Sequence, residues 1–267
     1  MSTKISWTNE TWNPVTGCSH VSAGCVHCYA ERLSLRFKHT TKPWTAQNAA
    51  ENVVLHPERL DAPRHWKTPR RVFVNSMSDL FHENVPFEFV KQVFEVMNDK
   101  CARKHTFQIL TKRPERMQTF ISSAAVNGLR LAEYPLSNVW LGVSVEDQKT
   151  ADARIPLLLQ TPAAVRFLSC EPLLGEIELK WFRNKLYRQQ FGVLNGMPTV
   201  PDIDWVIVGG ESGHGFRPMQ EDWARSIRDQ CVAANVPLWF KQHSALRSET
   251  NPLLDGVEWH QMPEAIQ

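Results

Sequence analysis

Short apolar runs, each ending in a burst of polar side chains, recur along this chain, and that rhythm limits its fold more than any other feature. "RVFVN" (71–75) is followed by polar "SMSD" and then by a helical pattern from Pro86 to about Lys104. "TFQIL" (106–110) precedes "TKRPERM", which opens another helix, and "NVWLGV" (138–143) precedes "SVEDQ" and a helix to about Leu159. "VRFLS" (165–169) leads to "CEPL" and "DWVIVG" (204–209) to "GESG". After a helix from Pro218 to about Ala234, "VPLWF" (236–240) leads to "KQH". Near-continuous apolar runs suit strands buried on both faces of a parallel sheet, and parallel strands need crossover helices. With one more strand before Cys18, the count reaches six or seven βα units. The pattern predicts an α/β fold, a partial (βα)6-7 TIM-like barrel, rather than a sandwich or bundle. A doubly wound open sheet is the rival that spacing alone leaves open.

The polar bursts carry chemistry. They comprise Asn75, Ser76, Ser78 and Asp79; Thr111, Lys112 and Arg113; Ser144, Glu146 and Asp147; Ser169 and Glu171; Gly209, Gly210, Glu211 and Ser212; and Lys241, Gln242 and His243. In a parallel barrel the C-terminal strand ends face one rim, where active sites are built. A single burst is an ordinary helix N-cap. Six in succession, with both charge signs, predict an active-site rim. Two excursions, 36–70 and 176–203, interrupt an otherwise single domain spanning 1–267 and are expected to be lids or extra substructure.

The chain has 267 residues, is 42% hydrophobic and 22% charged, and carries a net charge of +2. Whole-molecule electrostatics therefore do not mark a nucleic-acid binder. Basic and aromatic residues do mix locally, in "HWKTPRR" (65–71) and "KWFRNKLYRQQF" (180–191). The first reads as a solvated loop and the second as an amphipathic helix. No apolar run approaches the roughly 20 residues that cross a bilayer. "MSTKISWTNETWNP" has no apolar segment of the secretory kind, so a cytoplasmic protein with no membrane partner is expected.

In a reducing compartment, clustered cysteines point to metal or catalysis rather than disulfides. Three of the six cysteines, Cys18, Cys25 and Cys28, fall in "GCSHVSAGCVHCYAE" (17–31). The other three, Cys101, Cys170 and Cys231, sit singly in apolar surroundings and read as small buried core residues, with Cys170 at a strand end beside a carboxylate. His20 or His27 could complete a zinc set, yet no second Cys or His pair follows at zinc-finger spacing. The zinc-deaminase pattern is also absent. Three thiolates on one loop match an iron–sulfur cluster with one iron left open, and Gly17 and Gly24 permit tight backbone paths around it.

"WTNETWNPVTGCSHVSAGCVHCYAERL", "FVNSMSDLFHENVP", "FQILTKRPERM", "WLGVSVEDQ", "FLSCEPLLG", "DWVIVGGESG" and "WFKQ" run in order from about residue 5 to residue 243. Together they resemble the motifs of a phage-associated three-Cys-motif family of unknown function, grouped with radical S-adenosylmethionine (SAM) enzymes. The resemblance implies a radical SAM barrel whose Cys18, Cys25 and Cys28 ligate a [4Fe–4S] cluster. SAM would be cleaved there to give a hydrogen-abstracting radical, with electrons from a flavodoxin- or ferredoxin-type donor. It implies an adenine contact for His27 and a SAM amine contact for Ser76, Ser78 and Asp79. Ser144 and Glu146 would meet the ribose or carboxylate, and Gly209, Gly210 and Glu211 would make further SAM or substrate contacts. Two departures stand out: the first cysteine gap is six residues rather than three, and "GGES" lies several strands later than the SAM-gripping Gly-Gly-Glu of that superfamily.

Lys112, Arg113, Glu171 and Lys241 are the expected catalytic or substrate-facing groups, the cations suited to phosphate or carboxylate. Salt bridging across the rim is their structural alternative. The phage association of the family it resembles, together with the basic–aromatic excursions, points to a nucleobase, a nucleotide or a hypermodified thymine in phage DNA, in the host-cell cytoplasm, and to rearrangement or C–H functionalisation. Two rivals remain at this level. One is a zinc-stabilised nucleic-acid-binding protein. The other is a metal-independent TIM-barrel hydrolase using Glu146, Glu171 and Glu211.

Overall fold

A computed structural model of the chain describes residues 3–123, 135–182 and 202–264. Seven strands form one parallel sheet whose order follows the chain. That is the strand order of a partial TIM barrel. A doubly wound sheet reverses its order at a switch point, and among the described strands there is no reversal. The chain clusters into two compact units, Met1–Val143 with Thr161–Ala164, and Ser144–Gln160 with Val165–Gln267.

The first unit begins with β1 (Glu10–Trp12), β2 (Val15–Thr16) and β3 (Val54–Leu55), followed by β4 (Arg71–Val74), β5 (Thr106–Thr111) and β6 (Val139–Ser144). Register places Trp12 beside Val74, Val74 beside Ile109 and Ile109 beside Leu141, all buried. Helix Phe87–Met97 buries Val90, Val93, Phe94 and Met97, the one-sided spacing of an amphipathic helix. Phe120 of helix Pro114–Ser122 lies 5.2 Å from Phe94 and 5.5 Å from Phe87, ring to ring. The first of these helices stops well short of Lys104. Asp99 Oδ1 accepts the Cys101 N–H at 2.8 Å, a local bond that competes with the helical ladder.

The second unit carries β7 (Val165–Cys170), β8 (Trp205–Gly209) and β9 (Leu238–Gln242), with helices Gln148–Gln160 and Glu221–Ala233. Leu168 pairs with Val206, and Ile207 with Trp239. A small hairpin, β10 (Leu253–Leu254) and β11 (Val257–Glu258), turns on Asp255 and Gly256, both at positive φ (53° and 77°). Asp-Gly is the expected dipeptide for a two-residue turn of this kind. The apolar rhythm passed over the hairpin because its strands are only two residues long.

Of the single cysteines, Cys170 and Cys231 are buried as expected. Cys101 is exposed, contrary to expectation: it stands on the outside of the turn, where neighbouring Ala102 takes the buried place. Most of the basic–aromatic run and of the second excursion, residues 183–201, lies outside the described residues. No described helix is long and apolar enough to cross a membrane.

Candidate functional site

The cysteine loop leaves β2 at Gly17, by a route open only to glycine. Gly17 has φ +81°, and a Cβ there would lie 1.8 Å from the Asn52 carbonyl oxygen. Its N–H donates to the Met77 carbonyl at 2.9 Å. Gly24 does a different job, lying buried in the 3-10 turn Ala23–Cys25. Cys28 then caps helix Tyr29–Arg36.

Excursion 36–70 braces this loop. β3 pairs antiparallel with β2, and His56 Nε2 meets Thr16 Oγ1 at 2.8 Å. The buried Trp44 accepts the His20 N–H at its carbonyl (3.0 Å) and donates its own N–H to Glu31 Oε1 (2.7 Å). The His20 ring bonds Glu31 Oε2 at 2.6 Å, so it acts as a brace between loop and helix. Among the described residues no three His, Cys, Asp or Glu side chains gather closely enough to hold a single metal ion.

The residues after β4 hold the loop from the other side. Ser76 Oγ and the Asn13 amide bond each other at 3.2 Å, and Ser78 Oγ donates to the Val15 carbonyl at 2.9 Å. Tyr29 Oη donates to the Ser76 carbonyl at 2.6 Å. Asp79 is buried and fully engaged. It accepts from Thr111 Oγ1 (2.8 Å), the N–H of Phe81 and Lys112 (both 3.0 Å) and Arg113 Nη1 (3.2 Å). Ser76, Ser78 and Asp79, the residues expected at the SAM amine, thus all contribute to the bonding around the loop.

Arg113 brings the end of β5 to the cysteines. Its Nη1 also points at Cys18 Sγ (3.6 Å), Nη2 donates to Ser19 O and Oγ (both 3.1 Å), and Nε donates to Glu83 (3.0 Å). His82 completes the anchor. Its Nδ1 accepts the Asn84 N–H at 3.0 Å, leaving Nε2–H to donate to Ser19 Oγ at 2.8 Å. Burial and Arg113 push the His82 pKa down, which keeps that ring neutral.

Burial pushes the Cys18 thiol up to about 12, with Asp79 adding to the rise, Arg113 opposing it, and Cys25 and Cys28 adding further. Cys28 is also raised by burial and by Cys25, while the amides of Glu31 and Ala30 at the helix start and the charge of Lys112 pull the other way. The three thiols therefore lie within electrostatic reach of one another, with Lys112 and Arg113 close by. This donor set fits a cubane cluster, in which each thiolate takes a different iron, better than a mononuclear zinc site, in which all ligands converge on one ion. His27, half-buried, stands on the loop between Cys25 and Cys28.

In the second unit the expected acids are each paired with a cation. The wholly buried Glu146 meets Arg154 Nη1 at 3.0 Å, and the same nitrogen donates to the Ser144 carbonyl at 2.7 Å. Glu171 meets Lys241 at 2.7 Å and accepts from Ser169 Oγ at 3.1 Å. Glu211 takes the Arg217 fork at 2.6 and 3.0 Å. Gly210 is needed for space, since a Cβ there would come 2.4 Å from the Ser244 nitrogen, whereas a Cβ at Gly209 would come 2.8 Å from Glu171 Oε1 and would require that carboxylate to shift. Cys170 is held protonated chiefly by burial, with Cys231, Glu171 and Glu146 adding to the effect.

Sequence reasoning missed the anchors Asn13, His82, Arg154 and Arg217, and it missed Gln108. Both amide atoms of Gln108 and of Asn75 are buried without a hydrogen-bond partner. Gln108 did leave a signal, as the one polar residue inside the apolar core of "TFQIL".

Fold and site define a class: an α/β protein of partial-barrel strand order with a braced three-thiol loop after its first parallel strand. The chain belongs to the family described as protein of unknown function (DUF5131), whose model matches residues 2–263. No curated protein matches it. Among solved structures, a mutant of spore photoproduct lyase is similar at a TM-score of 0.45 and 14% identity, over 86% of this chain. The chain spans 62% of the length of that protein.

Proposed function

We propose that this protein is a radical SAM enzyme in which Cys18, Cys25 and Cys28 hold a [4Fe–4S] cluster. The observation that carries the reading is the set of three free thiols on one braced loop, within electrostatic reach of one another and beside Lys112 and Arg113. When bound, cluster and SAM supply one-electron cleavage of SAM and a radical able to abstract hydrogen from an unactivated carbon. The chain's own residues do the holding. Asn13, Ser76, Ser78 and Asp79 shape the loop, Arg113 and Lys112 offset the negative charge of thiolate ligands, and His27, on the loop between Cys25 and Cys28, would meet the adenine. An external flavodoxin- or ferredoxin-type donor would supply the electron. The basic and aromatic residues of 65–71 and 180–191 support a nucleobase or nucleotide substrate, free or in DNA.

The hydrolase alternative loses its footing at the three glutamates, each of which is tied to a cation rather than poised as an acid or base. Anaerobic purification with absorption spectroscopy and iron analysis tests the main reading. A brown protein with a broad visible band and about four irons is expected. Cys25→Ala should lose the iron and the formation of 5′-deoxyadenosine while circular dichroism is unchanged. A colourless, zinc-loaded protein that stays so after anaerobic reconstitution would sink the proposal. Gel-shift assays at two salt concentrations test the DNA arm, because phosphate-driven binding falls steeply with salt.

A further inference from the structure

The guanidinium of Arg113 is more elaborately held than neutralising one carboxylate requires. Its Nε is taken by Glu83, its Nη2 by Ser19, and its Nη1 is shared between Asp79 Oδ2 at 3.2 Å and Cys18 Sγ at 3.6 Å. The side chain is 5% exposed. Asp79, which fixes the shared nitrogen, is itself immobilised by Thr111 and by the amides of Phe81 and Lys112. The fork is therefore locked on three sides, and its remaining direction is the sulfur. A lysine could keep the charge but not these contacts, since one ammonium cannot reach Glu83, Ser19, Asp79 and Cys18 together.

We propose that Arg113 is a positioning residue for Cys18: its N–H···Sγ hydrogen bond orients that thiolate as a cluster ligand and sets the cluster's reduction potential. The inference rests on the cluster assignment above. Hydrogen bonds to ligand sulfurs and nearby charge are among the levers that set iron–sulfur potentials. A donor aimed at a ligand sulfur favours the more negative, reduced state and raises the potential. Ser19 and His82 serve the same contact indirectly, by holding the backbone next to Cys18.

The test is an EPR-monitored redox titration, with iron content, of anaerobically reconstituted wild type, Arg113→Lys, and the double variant Asp79→Asn/Arg113→Gln. The lysine variant keeps the positive charge. The double variant removes both buried charges together, so neither is left uncompensated, and circular dichroism reports whether each variant folds. The expected result is a midpoint shifted to lower potential in the folded variants, with Arg113→Lys nearer to wild type. Loss of iron from a folded variant would equally support the contact. Wild-type midpoint and iron content in both variants would overturn it. A wild type that takes up no cluster is a different outcome, which brings down the functional reading itself.

Discussion

A methyl group at position 17 would sit 1.8 Å from the Asn52 carbonyl oxygen, in a backbone conformation (φ +81°) that L residues rarely adopt. Gly17→Ala should therefore cost about 1–3 kcal/mol, read as a lower urea midpoint, and should loosen the cysteine loop. His105 makes a pH-dependent contribution. It is 1% exposed, its Nδ1 accepts the Arg70 N–H at 3.2 Å, and its Nε2–H donates to the Pro63 carbonyl at 3.1 Å. A second ring proton would face the Arg70 N–H. Burial pushes its pKa below the ordinary 6.5, with Lys104 and Arg70 adding to the effect. The folded value lies below the unfolded one, so this contribution is complete above 6.5 and is lost as pH falls through the folded value. Stability should fall by at most about 1.4 kcal/mol per pH unit in that window, and His105→Gln should remove this part of the slope. Gln108 tests the opposite sign. Gln108→Leu removes a buried amide with no partner and should raise stability by about 1–3 kcal/mol in thermal melts.

Among the elements, the loop 17–28 and its braces show what was legible in the sequence and what was not. The three cysteines, and their position after a first strand, were readable because both are local facts of spacing. The braces were not. Arg113 meets Cys18 across 95 positions of chain, and Arg154 meets Glu146 from a helix whose sequence pattern does not say which partner its charged face will find. Excursion 36–70, polar and rich in His, Pro and Lys, was expected to be a lid or extra substructure, and the sequence did not say which. Its brief β3 strand, Trp44 and His56 lock β2 and the loop in place. The Glu146–Arg154 pair carries a prediction at this scale. Glu146→Leu alone leaves a buried guanidinium without its carboxylate and should cost about 3–5 kcal/mol in chemical denaturation. Replacing both partners with apolar residues should recover most of that loss.

For the whole molecule, a ligand that binds only the folded chain stabilises it by mass action. Reconstituting the proposed cluster should raise the calorimetric melting temperature by several degrees, and Cys25→Ala should abolish the increment. By itself the sequence determined the α/β alternation and the positions of the parallel strands. It also determined where the thiols cluster. Each of these follows from local hydrophobic period and residue spacing, which survive without knowledge of long-range partners. The tertiary structure decided which partner each polar residue meets. A buried charge must find a partner or lose its charge, and the partner is usually distant in sequence. Six polar bursts that read alike along the chain therefore separate in the fold. Asp79, Glu146, Glu171 and Glu211 are ion-paired, Ser76 and Ser78 hold the loop, and Lys112 and Arg113 are brought to the cysteines.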